Sequence, residues 1–261
     1  MGFAHSDGTS IYYERHGSGP AVLFVHGSGG HHAAWWQQVA PLRERYTVVT
    51  VDLRGFGNSD STMPEFDSQD FPEDIVAVLD QEDLRDVLLV GQSIGAVAAL
   101  RAGLRRPDRV GGVVLAHSLG GIDHPELSAL VAADRAEAVK LPVLDRLLSR
   151  DFQKREPART LLFQQMGTFN TAKMADLRNL STGGPTVNEV TASGLPVCFL
   201  AGANDAVLSA ATVTRAHELL PGSRLELVPG APHSMYWEAP ELFNAAVVRV
   251  RDDLTHRSAA V

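Results

Sequence analysis

Residues 87–100 read VLLVGQSIGAVAAL. An apolar run of strand length stops at Gly-Gln-Ser-Ile-Gly, and small and apolar residues of helical character take over. This stretch predicts a buried strand that turns sharply into a helix, with Ser93 at the turn. Gly91 and Gly95 take side chains away from the place where strand and helix approach each other. A five-residue motif can arise by chance in a chain with 23 glycines, so the rest of the chain has to supply its surroundings.

Further apolar runs of strand length lie at 21–27, 46–53, 86–91, 109–117, 195–202 and 223–230. Near-continuous apolar strands predict burial on both faces and hence a parallel sheet. Residues 1–16 read as a hairpin around Asp7-Gly8. Helical patterns at 32–44, 72–84, 93–106, 209–220 and 237–253 alternate with the strands. The expectation is an α/β fold with a doubly wound, mostly parallel sheet. The alternation breaks between Ser118 and Gly194, where helical patterns at 125–139, 142–151, 157–168 and 171–180 follow one another. A structureless loop of that length is implausible in a compact domain. Residues 119–194 are therefore expected to form an inserted helical cap, and 1–118 with 195–261 the core domain.

The chain carries 23 Lys and Arg against 31 Asp and Glu, a net charge of −8. With no basic patch, nucleic acid is not an expected partner, and an acidic surface disfavours anionic membranes. No run approaches the length of a membrane span. The N-terminal stretch has no apolar signal core, so a cytoplasmic monomer or homodimer is expected. The single cysteine, Cys198, lies in the apolar run LPVCFLAG and reads as a small buried hydrophobe. H-E-x-x-H and C-x-x-C are absent and the histidines are scattered, so neither metal nor cofactor is expected.

Four segments together carry a resemblance: VGQSIG between strand and helix, FVHGSGG at the end of an earlier strand, VDLRGFGNSD at the end of the next, and an acid and a base after later strands. With these the chain resembles the α/β-hydrolase superfamily over nearly its whole length outside the cap. The resemblance implies the α/β-hydrolase fold and a triad in the order Ser93, Asp205, His233. Asp205 follows the strand at 195–202 and His233 the strand at 223–230, so both fall on the sheet edge that carries Ser93. His117 stands as a second candidate base and Asp123 as a fallback acid. By resemblance the oxyanion hole is made by the backbone N–H groups of Ser28 and Ile94. His26 reads as a brace for its own loop, Asp52 and Arg54 as loop braces. His31, His32, His124, His217 and His256 are expected on the solvated surface. Gly27, Trp36, Phe152, Phe163, Met166 and Phe169 are the candidate substrate-binding residues.

A serine at this turn fits acyl transfer: attack on a carbonyl, an acyl-enzyme, then hydrolysis. The cap argues for a bounded small molecule, so the expected function is hydrolysis of a small ester or lactone. Hydrolysis of a C–C bond in meta-cleavage-type diketo acids is one alternative, although Ala96 stands where that family usually has a second glycine. A slowly turning-over small-molecule receptor of the same fold is the other.

Overall fold

A computed structural model of the chain describes residues 1–60, 66–180 and 182–258. Its strands, in chain order, are β1 (Gly2–Ser6), β2 (Thr9–His16), β3 (Ala21–Val25), β4 (Thr47–Val51), β5 (Phe66–Asp67), β6 (Val87–Gln92), β7 (Val110–Ala116), β8 (Leu177–Arg178), β9 (Val197–Gly202) and β10 (Arg224–Val228). Eight of them form one sheet in the order β1-β2-β4-β3-β6-β7-β9-β10. β1, β2 and β4 are joined by antiparallel pairing, and every pair from β4 to β10 is parallel. The Asp7-Gly8 turn has positive φ at both residues, 46° and 79°, as a tight hairpin requires.

Alternation along the central strands explains the burial. Leu23 and Val25 of β3, Leu89 of β6 and Leu115 of β7 face one core with α2 (Phe71–Gln81) and α3 (Ile94–Arg105). Val22 and Phe24, Leu88 and Val90, and Val114 face the other, against Trp35, Trp237 and Phe243. Both faces are thus covered, which is why the strands read as unbroken apolar runs. Cys198 belongs to the second core, and burial pushes its thiol up to about 12.

The chain leaves β3 for β4 on one side and returns as β6 on the other. The loops after β3 and β6 therefore part from each other at the carboxyl edge of the sheet. This is the switch point at which open α/β sheets hold their ligands.

The helices refine the sequence reading. A 3₁₀ turn at His32–Trp35 precedes α1 (Trp36–Leu42). The helix expected at 237–253 is two, α10 (Met235–Glu238) and α11 (Pro240–Ser258), with α9 (Ala210–Leu219) before them. Pro240 has no N–H and pushes Ala239 out of helical geometry, to φ −129° and ψ 62°.

Between β7 and β9 come α4 (Pro125–Ala138), α5 (Val143–Leu147), α6 (Arg150–Arg155), α7 (Pro157–Met166) and α8 (Val187–Ser193). The helix expected at 142–151 is broken at Ser149, whose Oγ accepts from Phe152 N at 3.1 Å and starts α6. The helix expected at 171–180 does not form. Ala172 N donates to Gly55 O at 2.8 Å, a single 3₁₀ turn covers Met174–Asp176, and β8 pairs in parallel with β5. Tertiary pairing overrides good helix propensity there, and it adds a two-residue strand where none was expected. These helices are tied to the main body by polar bonds. Ser209 N donates to Asp134 at 2.9 Å, Ser149 Oγ to Glu238 at 2.6 Å, and Ser234 N to Leu147 O at 3.0 Å. Among the described residues no helix is long and apolar enough to cross a membrane.

Candidate active site

Ser93 sits between β6 and α3 with φ 54° and ψ −116°, a backbone state that only a strongly determined turn holds. A Cβ on Gly91 would collide with the backbone of Gly95 and Ala96, and one on Gly95 with the carbonyls of Val25 and His26. Ser93 N donates to Ala116 O at 2.9 Å, which fixes the turn against the end of β7. Ile94 opens α3, so its N–H has no intrahelical acceptor.

The loop after β3 is held by His26. Its Nδ1 donates to Gly27 O at 2.8 Å and its Nε2 accepts from Leu53 N at 3.1 Å. Burial pulls its pKa down to about 4, against a smaller opposing pull from Asp52, and the neutral ring keeps both bonds. Asp52 and Arg54 also brace loops. Asp52 accepts from Asn58 N and from the His32 ring, each at 2.8 Å, and Arg54 forms a buried ion pair with Asp74 at 2.6 Å.

Asp205 lies in the loop after β9, with a buried side chain that accepts four donors. Val207 N and Leu208 N reach Oδ1 at 2.7 and 3.0 Å. His233 Nδ1 reaches Oδ1 at 3.0 Å and Oδ2 at 2.9 Å, and His117 Nδ1 reaches Oδ2 at 2.9 Å. Burial alone pushes this carboxyl up. The charge of His233 and the bonds from both rings outweigh burial and hold it well below the usual carboxylate range. An ionised carboxylate only accepts, so both imidazoles carry their proton on Nδ1. Asp205, His117 and His233 also have the donor types of a metal site, but those two Nδ1 protons are committed to the carboxylate.

A cavity of about 300 Å³ joins these parts. Gly27, Ser28, Gly29, Gly30, Gln92 and Ser93 form one wall. Val143, Leu144, Leu147, Phe163, Gln164 and Gly167 form the opposing one, with His233, Ser234 and Tyr236 beside them. The Ser93 hydroxyl makes no hydrogen bond to a described residue. Ser93 and His233 both line the cavity, and Ser28 and Ile94 flank the serine, one after β3 and one after β6.

Of the residues named from sequence as substrate-binding, Gly27 and Phe163 line this cavity. Phe152 and Met166 do not: both are buried in the second core, and Arg159 lies over the Phe152 ring. Trp36 and Phe169 point outward, 48% and 69% exposed, Trp36 edge-on to Trp237 and Phe169 edge-on to His31. Asp123 has no part in the His233 cluster; its N–H donates to Pro185 O at 2.8 Å. His31 and His32 are not solvated as expected. His31 is buried, and His32 pairs with the buried Asp52, a partner twenty positions away in sequence. The side chain of His256 lies outside the described residues. The reading from sequence missed Gln92, Ser234 and Tyr236, whose signal was adjacency to Ser93 and His233, and it missed the wall from α5, which carries no motif.

Residues 22–246 match the model of the Alpha/beta hydrolase family. The chain belongs to that family. It is 27% identical over 252 residues to a 2-(acetamidomethylene)succinate hydrolase of Mesorhizobium japonicum, covering 90% of this chain and 89% of that one. It is 28% identical over 247 residues to a pimeloyl-[acyl-carrier protein] methyl ester esterase of Aliivibrio fischeri, covering 87% and 92%. A thermophilic esterase from Thermogutta terrifontis superposes with a TM-score of 0.80 at 21% identity, over 97% of both chains. An enol-lactonase from Burkholderia xenovorans superposes with a TM-score of 0.77 at 21% identity, over 95% and 98%. These two structures share the fold.

Proposed function

We propose that this α/β hydrolase cleaves a small uncharged ester or lactone through an acyl-enzyme on Ser93. The observation that carries the reading is the Asp205–His233 pair, closed at 2.9 Å, with His233 lining the same cavity as a serine held in a left-handed turn. His233 Nε2 takes the Ser93 proton as Oγ attacks the carbonyl, then gives it to the leaving oxygen. Asp205 holds the Nδ1–H tautomer and balances the imidazolium. The oxyanion rests on the N–H groups of Ser28 and Ile94, each worth about 3 kcal/mol in comparable sites. Water activated by His233 then releases the acid. The segment 119–194 acts as the cap that bounds the substrate.

The wall chemistry selects among substrates. Among the described residues lining the cavity none is Lys or Arg, and the face from α5 and α7 is apolar apart from Gln164. A diketo acid brings a carboxylate that would lose its hydration without gaining a cation, a costly transfer. This favours neutral esters and lactones over the carboxylates of C–C hydrolases. The methyl ester esterase among the relatives supports an ester substrate, while the 2-(acetamidomethylene)succinate hydrolase is named for a dicarboxylate.

The test is steady-state hydrolysis of p-nitrophenyl esters from acetate to dodecanoate, wild type beside Ser93→Ala and His233→Ala. Multiple turnovers that fall at least ~10³-fold in both variants, with unchanged circular dichroism, are expected. Near-full activity in Ser93→Ala would overturn the mechanism.

A further inference from the structure

His117 is a costly residue to keep where it stands. It follows β7 with φ 55°, a left-handed state that non-glycine residues seldom adopt. Its N–H donates to Leu200 O at 2.8 Å, so the strain is locked in by pairing with β9. Its side chain is fully buried, and its Nε2 has no hydrogen-bond partner among the described residues. An apolar residue of similar shape would fill the space without an orphaned acceptor. What the imidazole gains is one bond, from Nδ1 to Asp205 Oδ2 at 2.9 Å, the oxygen that His233 also uses. His117 is not among the described residues lining the cavity, and its Nδ1 is taken up by Asp205.

We propose that His117 is a positioning residue that clamps Asp205 and shares its charge, so that His233 is held aligned. The inference rests on the triad reading above. Among the described residues the ionisable groups in contact with the His233 ring are Asp205, from the loop after β9, and His117, from the end of β7, its ring 5.5 Å from the His233 ring and edge-on to it. Burial lowers the His117 pKa more than Asp205 raises it, so the ring stays neutral and its Nδ1–H remains a donor. A carboxylate that accepts from two imidazoles and two amides has less charge to offer each. Without His117 its oxygens turn more freely, and the full charge falls on His233.

The experiment is the pH dependence of kcat/KM on a p-nitrophenyl ester for wild type, His117→Leu and His117→Asn, with melting curves for each. In His117→Leu the acidic limb should move up by roughly half to one pH unit, and kcat should fall ~10-fold while KM stays within about twofold. Asn places an amide N–H near the site of Nδ1–H. It should return the limb to its wild-type position and recover most of kcat. A Leu variant with an unmoved limb, or an Asn variant that behaves like Leu, overturns the proposal. Nitrogen-coupled proton NMR of the wild type gives a second reading that needs no folded Leu variant. Two downfield Nδ1–H signals are expected, of which one survives in His233→Ala; a single signal in the wild type overturns the clamp. Activity retained in Ser93→Ala would remove the triad itself. A dead Ser93→Ala beside an unmoved Leu profile removes only the role of His117.

Discussion

Backbone crowding decides more at Ser93 than side-chain chemistry does. The turn works because Gly91 and Gly95 let α3 start almost on top of β3 and β6. A Cβ at Gly95 meets two main-chain carbonyls, and main chain in the middle of a parallel sheet cannot step aside. Gly95→Ala should therefore lower Tm by about 5 °C, from a cost of roughly 2 kcal/mol in a chain of this size. Its activity should fall further than its stability, because the displaced carbonyls belong to the loop that presents Ser28. Differential scanning calorimetry beside ester hydrolysis checks both; a Tm within 1 °C of wild type would show that the junction has slack. The places of Ser93, Asp205 and His233 after strands were legible because strand ends are legible; β6 and β9 are buried throughout, whereas β10, before His233, is a half-exposed edge strand. His117 was less so. Its place at a strand end was visible, but its shared hold on Asp205 depends on the order of β7 and β9 in the sheet. The surroundings of His32 were hidden for a similar reason: its buried partner, Asp52, comes from the next strand end.

Among the elements, the short helices of residues 125–166 were the least legible. Five- and six-residue helices such as α5 and α6 span less than two turns, too few for an apolar face to stand out. Apolar residues there fall on both sides: Leu161 and Leu162 of α7 are exposed, Met166 is buried, and Phe163 reaches the cavity. Periodicity could not say which aromatic faces inward, and four of the six residues named for the pocket lie elsewhere. Phe163 is the one aromatic side chain from these helices on the wall, and its ring packs edge-on to Trp237 at 5.4 Å. Phe163→Ala should open that wall without disturbing Ser93 or His233. The preferred acyl chain should lengthen by about two carbons, each methylene being worth about 1–3 kcal/mol of discrimination in an apolar pocket, while kcat on the best substrate stays within about tenfold. The ester series measures this directly, and an unchanged chain-length profile would place the acyl group on another wall.

At the scale of the whole molecule, buried histidines set how stability follows pH. His26 binds its proton at about 4 in the folded chain and near 6.5 when unfolded. Between those values the unfolded state holds more protons, so stability falls as pH drops through the window. The full loss is on the order of 3 kcal/mol from His26, and burial of His31 and His117 adds the same sign. His32 works in the opposite sense. Burial lowers its pKa, but Asp52 and Glu14 raise it more, so it sits above its unfolded value. Its contribution is complete below about 6.5 and is lost as pH rises through the folded pKa. The two slopes meet near the unfolded value of about 6.5: below it His26 costs stability, and above it the contribution of His32 is lost. Tm measured from pH 4 to 9 should therefore peak between about pH 6 and 7 and fall on both sides. His26→Asn should flatten the acidic side, and Asp52→Asn the alkaline side, whatever either does to the maximum. The acidic slope is the sharper test, since the carboxylate of Asp205 holds its charge to lower pH and does not contribute there. A wild-type Tm that stays level from pH 6.5 to 4.5 would mean that the loop carrying Ser28 opens to let His26 charge without unfolding. The brace under that loop would then be far softer than its two hydrogen bonds imply.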